Sequence, residues 1–108
     1  MNGTYRVNYA PRALDDIREI YTYIAWTLQA PDTAVKQIRR IRQEIRALDE
    51  MPLRCPIVQL PDWDGQPVRR LLVDRYAVIY EVCQEEKSVT IDRIVYTGRD
   101  LRNVSMTQ

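Results

Sequence analysis

The second half of the chain alternates between hydrophobic and polar residues, from Val68 to Tyr96. Two polar turns interrupt the alternation, one at Asp74-Arg75 and one at Gln84–Lys87. A repeat of two residues is typical of β-strands, in which successive side chains point to opposite faces of the sheet. We therefore predict three consecutive antiparallel strands, over Val68–Val73, Tyr76–Cys83 and Ser88–Tyr96.

The first half of the chain repeats every three or four residues instead, which is the spacing of amphipathic helices. Two apolar stripes carry this spacing: Leu14, Ile17, Tyr21, Ile24 and Leu28, and then Ala34, Ile38, Ile41, Ile45 and Leu48. Ala30-Pro31-Asp32 separates the two stripes. The pattern predicts helices over roughly residues 11–29 and 32–50, joined as an antiparallel hairpin. A short alternating segment, Tyr5–Tyr9, precedes them and predicts a further strand.

Residues 51–67 show neither period and contain four of the six prolines. Proline lacks the backbone N–H that helices and sheets use, so we predict an extended connector here. Leu60 and Trp63 are expected to hold the connector against the body of the protein. The sequence Asp62-Trp63-Asp64-Gly65 is expected to form its turn.

These elements predict one α+β domain over residues 1–108, with a small antiparallel sheet covered on one face by the helix hairpin. The N-terminal strand is expected to lie beside the last strand or at an edge of the sheet. By alternation, Val78, Tyr80 and Val82 would face the helices. Arg93 would face them too and pair with a carboxylate of the first helix, such as Asp15 or Glu19. The other face is expected to be more open and to carry Ala77, Ile79, Glu81, Asp92, Ile94 and Tyr96.

Arginine dominates the basic residues of the chain. Only Lys36 and Lys87 of the 16 basic residues are lysines, so the other fourteen are arginines. Arginine makes bidentate contacts with carboxylates and phosphates, which favours a nucleic-acid or an acidic protein partner. The exposed side of the second helix is especially basic, with Arg39, Arg42 and Arg46. Two interpretations of this side stay open, a solvated face and a binding surface.

Several classes of protein do not fit the composition. The chain has no histidine, which is the usual general base and the commonest metal ligand. Cys55 and Cys83 lack the spacing of a metal site. We therefore expect no metal and no cofactor. No apolar run is long enough to cross a bilayer, so a cytoplasmic location without a membrane partner is expected.

The order of four segments resembles the RelE/ParE superfamily of toxins from type II toxin–antitoxin modules. These segments are YRVNYAPRALDDIREIYTYI, IRALDEMPLRCP, RRLLVDRYAVIYEV and VTIDRIVYTGRD. The resemblance covers nearly the whole chain. It implies a small bacterial growth inhibitor that a cognate antitoxin holds inactive, through an acidic, amphipathic C-terminal segment of the antitoxin.

The resemblance leaves the activity open, because the superfamily has two branches. RelE-like members cleave mRNA on the ribosome without a metal, and ParE-like members inhibit DNA gyrase. If the chain is a nuclease, Arg70, Arg99 and Tyr96 are its expected catalytic residues. However, Ala77 stands where the nuclease branch carries an arginine, and nothing after Arg99 is aromatic. The incomplete set favours the ParE-like or an unassigned branch.

Three hypotheses therefore remain: a toxin that binds an essential target, an mRNA endonuclease, and an inactive protein that only binds an antitoxin. Glu81 or Asp92 would be the base of a nuclease, or else a polar residue of a solvated face. Under each hypothesis a similar surface would contact the antitoxin or the target. Its expected residues are Arg39, Arg42, Arg46, Arg69, Arg70, Ala77, Ile79 and Arg99.

Overall fold

A computed structural model describes residues 4–60, 63 and 65–98. Its elements are β1 (Arg6–Tyr9), α1 (Pro11–Thr22), a π-helical turn (Tyr23–Thr27), α2 (Pro31–Arg46), β2 (Ile57–Val58), β3 (Val68–Val73), β4 (Tyr76–Cys83) and β5 (Ser88–Tyr96). Short 3-10 turns follow α2 at Ala47–Asp49 and Pro52–Arg54. Arg99, Asp62 and Asp64, which the sequence predictions include, lie outside the described residues.

The five strands form one sheet in the order β1-β5-β4-β3-β2. The three strands of the predicted meander have the predicted bounds and pair antiparallel. β1 lies at the edge beside β5, as expected, but it runs parallel to β5 and makes the sheet mixed. The alternation along a strand determines which side chains share a face of the sheet. It does not determine whether the strand runs parallel or antiparallel to its neighbour. The predicted α+β fold is confirmed.

The main core lies between the helix hairpin and one face of the sheet. Its fully buried side chains are Ile41, Ile45, Leu48, Val78, Tyr80, Val89 and Ile91. Val82 packs against this core, so the predicted helix-facing set of β4 is confirmed. The Tyr80 hydroxyl donates a hydrogen bond of 2.7 Å to the Pro52 carbonyl. Burial of this tyrosine therefore leaves its hydroxyl satisfied and anchors the start of the connector.

α1 is rotated relative to the predicted stripe. Ala13 and Asp16 are buried, whereas Leu14 and Tyr21 are 41% and 37% exposed. The cause is the carboxylate of Asp16, which accepts a hydrogen bond of 2.8 Å from the Ile94 amide of β5. A buried carboxylate needs such partners, and meeting them turns the helix away from its purely apolar stripe.

β5 contains a bulge that changes which residues face the helices. Ile79 lies opposite Arg93 and Tyr80 lies opposite Ile91, so Asp92 is an extra residue in the ladder. An extra residue reverses the alternation beyond it. Ile94 therefore belongs to the helix-facing core. The prediction that Ile94 and Tyr96 share the open face with Asp92 is wrong for this reason.

The second face of the sheet is covered where the sequence predicts it to be open. Val68, Ala77 and Ile79 form a small buried cluster on this face, against which Leu60 and Trp63 of the connector pack. The Trp63 indole N–H donates a hydrogen bond of 2.6 Å to the Gln66 carbonyl. The predicted anchoring by Leu60 and Trp63 is confirmed. No helix within residues 4–60 and 65–98 is long and apolar enough to span a membrane.

Candidate functional site

The covered sheet face carries Arg70, the basic strand residue of the predicted nuclease set. Arg70 lies opposite Ile79, and its side chain is partly buried beside the connector cluster. Its Nε atom is buried without a hydrogen-bond partner among the described residues. Burial lowers the pKa of this guanidinium from its ordinary value. The face therefore offers a partly desolvated cation.

Two carboxyl groups share this face with Arg70. Glu81 of β4 and Asp92, the bulged residue of β5, lie side by side. Burial, and then the neighbouring Glu81, raise the pKa of Asp92 to about 7. The Oδ2 atom of Asp92 is buried and unpartnered among the described residues. With a pKa near neutral pH, Asp92 is suited to proton transfer.

Ala77 and Ile79 are each 6% exposed beneath the connector. A partner cannot contact them while Leu60 and Trp63 remain in place. The expectation that both residues lie on an accessible binding surface is therefore contradicted. The sequence misses this because the connector lacks any periodic pattern that would show which face it covers.

Tyr96 lies on the face of the sheet that the helices cover, whereas Arg70 lies on the other face. Its ring packs on Tyr76 of the main core, with the ring centroids 5.3 Å apart. The β5 bulge causes this placement, so Tyr96 and Arg70 do not share a site. Arg99 lies outside the described residues. Of the predicted nuclease set, Arg70 is therefore the member that the described residues place on the second face of the sheet.

Arg69 points to the helix side of the sheet and holds the connector. Its guanidinium donates to the carbonyls of Leu53 and Cys55, at 3.2 and 2.6 Å. These bonds satisfy carbonyl groups in a segment that has few backbone partners of its own. The geometry thus gives Arg69 a structural role, although the sequence predicts it on the binding surface.

A basic groove runs along the outer side of the helix hairpin, with a volume of about 490 Å³. The lining residues are Tyr21, Val35, Ile38, Arg39, Arg42, Gln43 and Arg46. Arg42 also stacks over Tyr9, 5.1 Å from the ring centroid. None of the three lining arginines forms a salt bridge within the described part of the chain. Their charges are available to an anionic partner, and their role in binding stays a prediction.

The neighbouring Arg40 differs, because it forms an ion pair with another residue of the same chain. Its guanidinium makes two hydrogen bonds, of 2.8 and 3.1 Å, to the carboxylate of Asp74 in the β3–β4 turn. Gln37 donates a third, of 3.0 Å, to the same carboxylate. These contacts lower the pKa of Asp74 and connect α2 to the turn. Arg40 of α2 thus has a different role from the three arginines that line the groove.

A second, apolar groove of about 560 Å³ lies between α1, the π-helical turn and the end of β5. Its lining residues are Asp16, Glu19, Ile20, Tyr23, Ile24, Leu28, Thr33, Tyr76, Arg93, Ile94, Val95 and Tyr96. The Arg93 guanidinium donates two hydrogen bonds, of 2.8 and 3.0 Å, to the Asp16 carboxylate. The predicted ion pair between Arg93 and the first helix is confirmed, with Asp16 in place of Asp15 or Glu19.

The π-helical turn shapes one wall of this apolar groove. The Leu28 amide donates to the Tyr23 carbonyl at 3.0 Å, and the Ala30 amide donates to the Ile24 carbonyl at 3.0 Å. Gln29 then takes a positive φ of 55°. Such π turns are rare and frequently mark functional sites. Here the wide turn leaves Tyr23 and Leu28 each 54% exposed.

No group of three or more histidine, cysteine, aspartate or glutamate residues suited to a metal ion occurs among the residues with described positions.

The family described as "ParE toxin of type II toxin-antitoxin system, parDE" matches residues 7–101. The chain belongs to this ParE toxin family. It is therefore a toxin of a type II toxin–antitoxin system, as the RelE/ParE resemblance implies.

Solved structures show the same fold as this ParE-family toxin. A chain of the chromosomal ParDE system from P. aeruginosa is 19% identical, with a TM-score of 0.71 over 89% of this chain and 99% of that one. For the toxin–antitoxin complex RelBE2 from Mycobacterium tuberculosis, the identity is 16% and the TM-score 0.62, over 92% and 98% of the two chains. For the archaeal RelE–RelB complex from Pyrococcus horikoshii OT3, the identity is 19% and the TM-score 0.61, over 90% and 99%. No curated protein matches the sequence significantly.

Proposed function

We propose that this ParE-family toxin inhibits growth by binding an essential protein of the cell, with DNA gyrase as the candidate. A cognate antitoxin would neutralise it in the cytoplasm. The proposal rests on one observation, which is that the second face of the sheet is covered and acidic. Leu60 and Trp63 cover this face, and the Glu81–Asp92 pair makes it acidic.

RNA cleavage needs the opposite arrangement. Positioned cations must stabilise the charge that develops on the scissile phosphate. Here Arg70 is partly desolvated on a face that also carries two carboxyl groups, Ala77 is buried, and Tyr96 lies on the other face. A negative charge next to the phosphate would oppose both binding and the transition state. These features favour inhibition by binding over catalysis.

An mRNA endonuclease is the alternative, and one observation favours it. Asp92 has a pKa of about 7, which suits a general base at neutral pH. Arg70 lies on the same face of the sheet. For this site to work, the connector would have to leave Ala77 and Ile79 during the reaction.

The antitoxin is expected to bind the basic groove of the helix hairpin. Arg39, Arg42 and Arg46 present charge there that no described carboxylate pairs, and Tyr21 adds an apolar surface. An acidic, amphipathic segment matches both features. The solved complexes of ParDE and RelBE type support an antitoxin partner for this chain, since it shares their fold.

Expression in bacterial cells separates the proposed function from its alternatives. Growth should stop, plasmid supercoiling should change, and primer extension should find translated mRNA intact. Arg70→Gln should leave the toxicity unchanged. Cuts in translated mRNA that disappear with Arg70→Gln would overturn the proposal in favour of a nuclease. Normal growth despite folded, soluble protein would select the inactive antitoxin-binding protein.

A further inference from the structure

The two grooves of the helix hairpin differ in chemistry. The basic groove carries three arginines that have no carboxylate partner among the residues that the structure describes. The apolar groove is lined mainly by Ile20, Ile24, Ile94 and three tyrosines. Surfaces with opposite chemistry on one small protein do not suit one uniform partner segment.

The apolar groove is open to solvent. Tyr23 and Leu28 are each 54% exposed, and Tyr96 is 58% exposed. The backbone hydrogen bonds of the π-helical turn place Tyr23 and Leu28 on the groove wall, and the ring of Tyr96 packs on Tyr76. Exposed tyrosines contribute strongly to protein–protein contacts, because they bury a large area at little entropic cost. This geometry is that of a docking groove.

The charges around the groove restrict its occupant. Asp16 is already neutralised by Arg93 and by the Ile94 amide. Glu19 remains as a carboxylate without a salt bridge within the described part of the chain. An acidic segment or a nucleic acid would meet repulsion from Glu19 at this apolar surface. A segment with an apolar ridge and a basic side chain at Glu19 matches it.

We propose that the apolar groove is the docking site for the toxin's protein target, and that it is separate from the basic groove for the antitoxin. Its occupant is a segment of the target that inserts apolar side chains between Tyr23, Leu28 and Tyr96. The same segment places a lysine or arginine on Glu19. The inference rests on the proposed function, because it assumes a toxin that acts by binding.

Matched substitutions test the groove. Leu28→Ala and Tyr23→Ala remove exposed groove side chains, and Glu19→Lys reverses the rim charge. Leu14→Ala is the control, because Leu14 is 41% exposed on α1 and lines neither groove. Growth inhibition should fall about tenfold or more for the three groove variants and stay unchanged for Leu14→Ala. Binding of the cognate antitoxin to the purified variants should stay within about twofold of wild type, which also shows that they are folded.

Other outcomes would overturn the inference. If the groove variants inhibit growth like wild type, the target docks elsewhere. If they lose antitoxin binding but stay toxic, the groove belongs to the antitoxin. If the groove variants lower the melting temperature far more than Leu14→Ala does, the chain itself fills the groove. The groove is then not free to bind a target. A different result would contradict the proposed function, namely cleavage of mRNA by the wild-type toxin. In that case the variants still show whether the groove binds the target.

Discussion

Asp16 determines how the first helix sits on the sheet. Its carboxylate accepts two hydrogen bonds from Arg93 and one from the Ile94 amide. The sequence contains a signal for it, since Asp16 falls three residues after buried Ala13 and four before Ile20. A carboxylate at a core position needs a partner, and the arginine of β5 is expected on the helix side. The sequence predicts that Arg93 pairs with a carboxylate of the first helix. Which carboxylate it meets depends on how the helix is rotated.

Asp16→Ala should destabilise the protein by about 2–3 kcal/mol, because it leaves the Ile94 amide and the Arg93 guanidinium without their partner. Urea unfolding measures the change. Asp15→Ala is the control, since Asp15 makes an exposed pair with Arg18 and should cost less than about 1 kcal/mol. Equal losses for the two variants would contradict the structural role of Asp16.

Asp92 should make the stability depend on pH. Its pKa in the folded protein, about 7, lies above the ordinary value of 3.8, so the folded state binds the proton more tightly than the unfolded state. This group's contribution is therefore fully present at low pH and is lost as the pH rises from about 4 to about 7. Asp92→Asn cannot ionise and keeps a donor for Glu81. Relative to wild type, it should gain about 1–2 kcal/mol between pH 5 and pH 8, after allowance for solvent screening.

Urea unfolding of wild type and Asp92→Asn at both pH values measures this gain. Glu85→Gln is the control, because Glu85 is an exposed residue of the β4–β5 turn. If wild type and Asp92→Asn show the same pH dependence, Asp92 does not have a raised pKa.

At the scale of elements, the regular parts are predictable and the irregular parts are not. The alternation from Val68 to Tyr96 predicts three strands with their observed bounds. It does not predict the bulge at Asp92, because one extra residue leaves no change of composition. The same holds for the π-helical turn, where the apolar spacing of Ile24 and Leu28 reads as continuous α-helix. The bulge moves one predicted site residue, Tyr96, to the helix side of the sheet.

The connector is the other element that the sequence describes only in part. Trp63→Ala should destabilise the protein by about 2 kcal/mol, because it uncovers Val68, Ala77 and Ile79. Amide exchange should also become faster at Ala77 and Ile79. The matched control is Trp26→Ala, which should change the stability by less than about 0.5 kcal/mol, since Trp26 is 75% exposed. Similar losses for both tryptophans would mean that the connector does not cover the sheet.

At the scale of the whole molecule, charge is distributed unevenly although the net charge is only +1. The helix hairpin presents three arginines in its basic groove that form no salt bridge with the other described residues, and the covered sheet face presents the Glu81–Asp92 pair. This separation supports two partners with different chemistry. It also separates the proposed antitoxin surface from residues that resemble those of a nuclease.

Association with the antitoxin should therefore depend on salt. Raising the ionic strength from about 0.05 to 0.5 M should slow association at least about tenfold and change dissociation much less. Replacing Arg39, Arg42 and Arg46 together by glutamine should remove most of this dependence. Stopped-flow mixing measures both rates, with Arg12→Gln as the control for charge outside the groove. An association rate that ignores salt would show that the basic groove does not steer the antitoxin.

The most direct test of inhibition by binding is a supercoiling assay with purified gyrase, relaxed plasmid and increasing amounts of this toxin. We predict that the toxin inhibits supercoiling in proportion to its concentration, and that added antitoxin restores the reaction. Arg70→Gln should inhibit as well as wild type, because the covered sheet face takes no part. Full gyrase activity at toxin concentrations that stop growth, together with cleaved mRNA in those cells, would contradict the account.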